Sequence, residues 1–153
     1  MTVSLVGLDV PDFSLPATGG KEFRLAAQRG KPCVVYFYPK DNTPGCTTEA
    51  GQFRDLHAEF AKFGCVVVGI SRDSIKSHEG FKAKLGLPFD LLADTEETAC
   101  RLFGVITTKK LYGKDVQGVE RSTFLIDAAG VLRREWRALK ADGHASDVLK
   151  AVA

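Results

Sequence analysis

The sequence predicts a three-layer α/β domain, a sheet held between helices. Two observations predict it. Runs of β-branched and aromatic residues alternate with stretches of helical periodicity, and a late hairpin is followed by a short helix at the C-terminus.

The elements follow in chain order. "CVVYFY" (Cys33 to Tyr38) is a continuous apolar run, which predicts a strand buried on both faces. Residues 46–62 place Ala50, Phe53, Leu56 and Phe60 on one helical face. "CVVVGIS" (Cys65 to Ser71) predicts a second buried strand, so these three segments form one βαβ unit. Residues 74–85 read as a helix capped by Ser74. Residues 95–103 read as another, capped by Asp94 or Thr95, with Glu96 and Glu97 suited to its positive end. "TFLID" (Thr123 to Asp127) is a third strand. "AAG" then turns the chain into "VLRREW" (Val131 to Trp136), which alternates like a half-exposed strand. Residues 144–152 close the chain as a helix.

At 153 residues the length predicts one domain, spanning 1–153, with enough chain for a real core. The net charge of +2 offers no nucleic-acid or membrane-surface footprint. No apolar run approaches bilayer length, and the first residues, "MTVSLVGLDVPDF", lack the pattern of a signal peptide. A cytoplasmic location is therefore expected.

The four cysteines, Cys33, Cys46, Cys65 and Cys100, form no Cys-x-x-Cys pair. His57, His78 and His144 are scattered, so no zinc site is expected. Cys33 and Cys65 begin buried-looking strands and read as packing residues. Cys100 lies in a helical stretch with Phe103 and Gly104 at helical spacing, and it too reads as packing.

Cys46 differs. It follows Thr-Pro-Gly where the first strand of the βαβ unit feeds its helix, at the carboxyl end of the strand, where open α/β sheets build their sites. Thr43 is a natural N-cap and Pro44 suits the first helical position, so Cys46 falls in the first turn. An ordinary thiol, with a pKa near 8.5, is only about 3% ionised at neutral pH. Free N–H groups at a helix start favour the thiolate, which is the nucleophile. The spacing alone is equally consistent with a catalytic thiol and with a tight entry turn.

The stretch "YFYPKDNTPGCTTEAGQFRD" resembles the active-site segment of the peroxiredoxins, closest to the branch called bacterioferritin comigratory protein or peroxiredoxin Q. That family's Pro-x-x-x-Thr-x-x-Cys motif reads here as Pro39, Thr43 and Cys46. "VVVGIS.D", "LPF.LLAD", "GV.RSTFLID..G" and "H...VL" follow in order, so the resemblance runs from Gly7 to the end of the chain.

The resemblance implies a thioredoxin-like fold, with a central mixed sheet flanked by helices, and a thiol-dependent peroxidase. It implies that Cys46 attacks the terminal oxygen of a hydroperoxide and that Thr43 binds peroxide and thiolate. Arg121 would stand beside the sulfur, and Pro39 would shield it. Glu49 would orient Arg121 or simply favour the helix start. No cofactor and no metal are expected.

The pattern departs from its relatives at one point. The resolving cysteine that many members carry five residues after the first is here Gly51. The following helix, where others carry it, has Phe81 and Lys82 and no cysteine. A one-cysteine mechanism is therefore expected, with a sulfenic acid reduced by an external thiol: thioredoxin, glutaredoxin or glutathione. The substrates would be hydrogen peroxide and small alkyl hydroperoxides, and the branch suggests a monomer. Cys100 is the one internal candidate for a resolving thiol, after local unfolding. A thioredoxin-type disulfide oxidoreductase would need a cysteine where Thr43 stands. A redox sensor without turnover is the remaining alternative.

Overall fold

The computed structural model describes residues 5–153. A seven-stranded mixed sheet runs through the molecule. Its strands are β1 (Ser14–Ala17), β2 (Lys21–Arg24), β3 (Cys33–Phe37), β4 (Val66–Ser71), β5 (Asp90–Ala93), β8 (Ser122–Ile126) and β9 (Leu132–Trp136), and β6 (Ile106–Leu111) and β7 (Lys114–Val119) form a separate hairpin. The order across the sheet is β2-β1-β5-β4-β3-β8-β9. The centre, β3, β4 and β5, is parallel, and the flanks are antiparallel. The helices are α1 (Pro44–Lys62), α2 (Ile75–Leu85), α3 (Thr98–Leu102) and α4 (His144–Val152).

β3 explains why the sheet must be covered on both sides. All five of its residues are buried. Val35 and Phe37 point into one core, with Phe13, Ile70, Leu92, Phe103 and Phe124. Val34, Tyr36 and Tyr38 point into the other, with Phe53, Phe60, Phe81 and Leu91. In the second core Phe53, fully buried on α1, stacks on Tyr36 with ring centroids 4.7 Å apart. Emptying such a site costs about 3–5 kcal/mol, so this contact, with Ala50 and Phe60 buried on the same helix, holds that face of α1 against the sheet.

The predicted strands and helices are present, with three differences. The helix expected over 95–103 shrinks to Thr98–Leu102. Neither Asp94 nor Thr95 caps it: Glu97 holds the cap position with φ 63°, and the Asp94 carboxylate accepts instead from the Cys100 amide, at 2.7 Å. Ser74 does cap α2, accepting from the Ser77 amide. Thr43 sits at the N-cap position of α1 with extended backbone, but its hydroxyl turns away and donates to the Lys40 carbonyl at 2.8 Å. Finally, β1, β2, β5 and the β6–β7 hairpin lie in stretches read as neither strand nor helix; each carries at least one charged or proline residue, which blurs the period-2 signal.

Among the described residues, no helix is long and apolar enough to cross a membrane.

Candidate active site

The sheet brings distant residues to the carboxyl end of β3. Phe37 pairs with Ser122, the first residue of β8, so Arg121 lies level with the end of β3, where the chain leaves for α1. Cys46 occupies the first turn of α1 behind Pro44 and is 1% exposed. Arg121 Nη2 donates to Cys46 Sγ at 3.4 Å. Its Nη1 donates to Glu49 Oε1 at 2.7 Å. Glu49 is one turn beyond Cys46 on the same face of α1, so one guanidinium bridges both side chains.

Glu49 is wholly buried, and its Oε2 has no hydrogen-bond partner among the described residues. Burial raises its carboxyl to about 7, even against the pull of Arg121. Arg121 is cationic at any working pH. The cation therefore faces the sulfur opposed by a carboxyl that is itself only partly ionised near neutrality.

Gly45 makes this approach sterically feasible. A Cβ built there would lie 2.9 Å from Arg121 Nη2. The glycine read from sequence as part of an entry turn is thus the space that the guanidinium uses. Its signal was present as a poor helix former in the first turn of a helix.

The loop before α1 is held as closely. Asn42 is left-handed, with φ 64°. Thr43 is half-buried, and with its proton given to Lys40 its hydroxyl oxygen keeps lone pairs for a ligand's donor. Pro39 stands exposed where the loop begins. Asp41, between them, is buried, and it was not singled out in the sequence.

The other thiols lie elsewhere. Cys100 is fully buried in the core on the opposite face of the sheet from Cys46. Cys33 and Cys65 lie at the amino ends of β3 and β4, where Cys33 pairs with Val66. Four residue steps separate that level from Phe37 at the end of β3, about 13 Å at the usual rise. Burial pushes all three thiols up, Cys65 to about 12. Gly51 and Lys82 offer no sulfur, and Lys82 pairs with Asp90 at 2.9 Å.

A thioredoxin-like sheet carrying one cysteine at a helix start, with a guanidinium on the sulfur, defines a thiol-dependent peroxidase. Comparison with known proteins gives the family. Residues 6–135 match the AhpC/TSA family model. The chain is 48% identical to a putative peroxiredoxin bcp of Coxiella burnetii, over 94% of this chain and 95% of the relative. It is 46% identical to the peroxiredoxin Bcp of Bacillus subtilis, over 99% and 96%. Among solved structures, the bacterioferritin comigratory protein of Xanthomonas campestris, studied for alkyl peroxide reduction, superposes with a TM-score of 0.89 at 48% identity, covering 92% of this chain and 89% of that one. A cysteine variant of peroxiredoxin Q from Xylella fastidiosa gives 0.94 at 38% identity, covering 99% and 97%. The chain belongs to the AhpC/TSA family, within its Bcp or peroxiredoxin Q branch.

Proposed function

We propose that Cys46 is the peroxidatic thiol of this peroxidase and that it works by a one-cysteine mechanism. The observation that carries the reading is the hydrogen bond from Arg121 Nη2 to Cys46 Sγ, 3.4 Å long, at the start of α1. The Cys46 thiolate attacks the terminal oxygen of a hydroperoxide. A sulfur–oxygen bond forms, the oxygen–oxygen bond breaks, and its electron pair leaves on the alkoxide or hydroxide, which takes a proton from water. Sulfur is thereby oxidised to a sulfenic acid. Arg121 compensates the charge on sulfur before attack and the charge moving onto the departing oxygen during it. The Thr43 oxygen accepts from the peroxide hydroxyl, Glu49 orients Arg121, and Pro39 shields the sulfur at the rim.

Resolution then needs a thiol from outside. One external thiol condenses with the sulfenic acid, releasing water and leaving a mixed disulfide; a second releases Cys46. The distance to Cys65 and the sheet between Cys46 and Cys100 both favour this route, because a disulfide needs Cα atoms within about 7 Å. Hydrogen peroxide and small alkyl hydroperoxides are the substrates, and thioredoxin, glutaredoxin or glutathione is the reductant. The protein acts as a single-domain monomer in the cytoplasm.

The test is peroxide consumption with dithiothreitol, thioredoxin and glutathione–glutaredoxin in parallel. Cys46→Ser should fold normally and lose turnover with every reductant. Turnover near wild type in that variant would remove the reading.

A further inference from the structure

The loop that carries Pro39 and Thr43 is fastened by a buried polar cluster outside the site. Asp41 is 4% exposed and His78, on α2, is wholly buried. The Asp41 carboxylate accepts three hydrogen bonds. Tyr38 donates its hydroxyl to Oδ1 at 2.6 Å, and Ser77 donates its hydroxyl to Oδ2 at 2.8 Å. His78 Nδ1 lies 2.8 Å from the same Oδ2. The loop's backbone is held too, because the Asp41 amide donates to Asp73 Oδ2 at 2.9 Å.

The second nitrogen of His78 anchors the ring to the sheet. Nε2 lies 2.9 Å from the Leu92 carbonyl of β5, which can only accept. Nδ1 faces a carboxylate that already receives two hydroxyl protons. Both ring nitrogens are thus engaged, and the ring ties the loop to β5 through Asp41 and the Leu92 carbonyl. Burial alone would raise the Asp41 carboxyl, but hydrogen bonds from His78, Tyr38 and Ser77 outweigh it and hold the group below its ordinary value. Tyr38, Asp41 and Asp73 are the ionisable groups around the ring. They come from the end of β3, the loop and the turn after β4, while β5 contributes only its carbonyl.

We propose that His78 is a positioning residue of the peroxide reaction: paired with Asp41, it pins the loop to α2 and so sets where the Thr43 hydroxyl meets the substrate. The proposal rests on the reading of Cys46 and Thr43 given above. Asp41 is two residues from Thr43, and the left-handed Asn42 lies between them. Movement of the pinned residue therefore reaches Thr43 directly. Arg121 enters from β8 and is not attached to this cluster. His78 should thus govern how peroxide is held, and not whether the sulfur is reactive.

That division gives the experiment. The rate constants of Cys46 with hydrogen peroxide and with iodoacetamide are measured separately in His78→Gln and in Asp41→Asn. A displaced reacting group loses roughly tenfold to a hundredfold in rate. The peroxide rate should fall about tenfold or more, while alkylation, whose reagent has no hydroxyl for the Thr43 oxygen to accept from, stays within about twofold. In a Thr43→Val background, the further loss caused by His78→Gln should shrink to less than about twofold, because both act through one hydroxyl. Equal loss of both rates, loss of neither, or full additivity with Thr43→Val overturns the proposal. Failure of the site reading looks different: Cys46→Ser would retain turnover.

Discussion

Gly45 and Arg121 share one volume of space. A Cβ at position 45 would lie 2.9 Å from Nη2, the same nitrogen that donates to Cys46 Sγ. The atom in the way is the far end of a flexible side chain, so a methyl group there can be accommodated, but only by moving the guanidinium off the sulfur. Gly45→Ala should therefore separate stability from activity. Alanine in a helix is better than glycine by up to about 1 kcal/mol, so the unfolding midpoint in urea should hold or rise. The rate of peroxide reduction should fall about tenfold, each tenfold being about 1.4 kcal/mol of barrier. A full-rate Gly45→Ala would show that the guanidinium contact is dispensable.

Arg121→Ala should slow peroxide reduction by one to three orders of magnitude, as loss of a donor aimed at developing charge does. Arg121→Lys should recover only part of this. An ammonium is a point charge and cannot span Glu49 and Cys46 with two fixed nitrogens, as the guanidinium does at 2.7 and 3.4 Å. Stopped-flow measurement of Cys46 oxidation distinguishes the three proteins.

Two buried groups should give stability opposite dependences on pH. Glu49 is raised by burial to about 7 from 4.5, so between those values the folded protein holds the proton more tightly and stability declines as pH rises. His144, whose Nε2 lies 2.7 Å from the Thr123 hydroxyl oxygen, is lowered by burial to about 4 from 6.5. Over that interval the unfolded chain binds more protons, and stability grows with pH. Each effect amounts to at most roughly 3 kcal/mol, and the two nearly cancel. Urea unfolding of the wild type should be nearly flat from about pH 4.5 to 6.5. Glu49→Gln should make stability climb with pH across that window, and His144→Gln should make it drop. The same slope in both variants would contradict these assignments.

One equivalent of peroxide without reductant should leave a sulfenic acid on Cys46 and little intramolecular disulfide. Excess peroxide should carry it on to the sulfinic acid, since on the proposed one-cysteine mechanism no internal thiol intercepts it. Intact-mass and peptide mass spectrometry read both products. A stoichiometric Cys46–Cys100 disulfide, lost in Cys100→Ser together with thioredoxin-dependent turnover, would replace the one-cysteine mechanism by a two-cysteine one.

The central strands and long helices were legible because burial on both faces demands continuous apolar residues, as in "CVVYFY". The short strands β1, β2 and β5 take their conformation from neighbours more than from their own pattern. Cys46 was legible as a thiol at a helix start, because turn chemistry is local. Arg121 was not, except through the resemblance, because its approach depends on how β8 pairs with β3. The Asp41–His78 contact left no trace at all: the two residues stand 37 apart, in a loop and on a helix, and nothing local joins them.

The placement of the thiols on and around the sheet gives the protein a built-in reference for assay. All four cysteines are free; Cys100 lies across the sheet from Cys46, and Cys33 and Cys65 lie at the amino ends of β3 and β4. On the one-cysteine mechanism proposed above those three stay unreacted, so a thiol titration in denaturant should move between four groups per chain and three as Cys46 is oxidised. The constant part of the signal reports concentration, and the varying part reports the oxidation state of the site. A single sample can therefore be calibrated against itself.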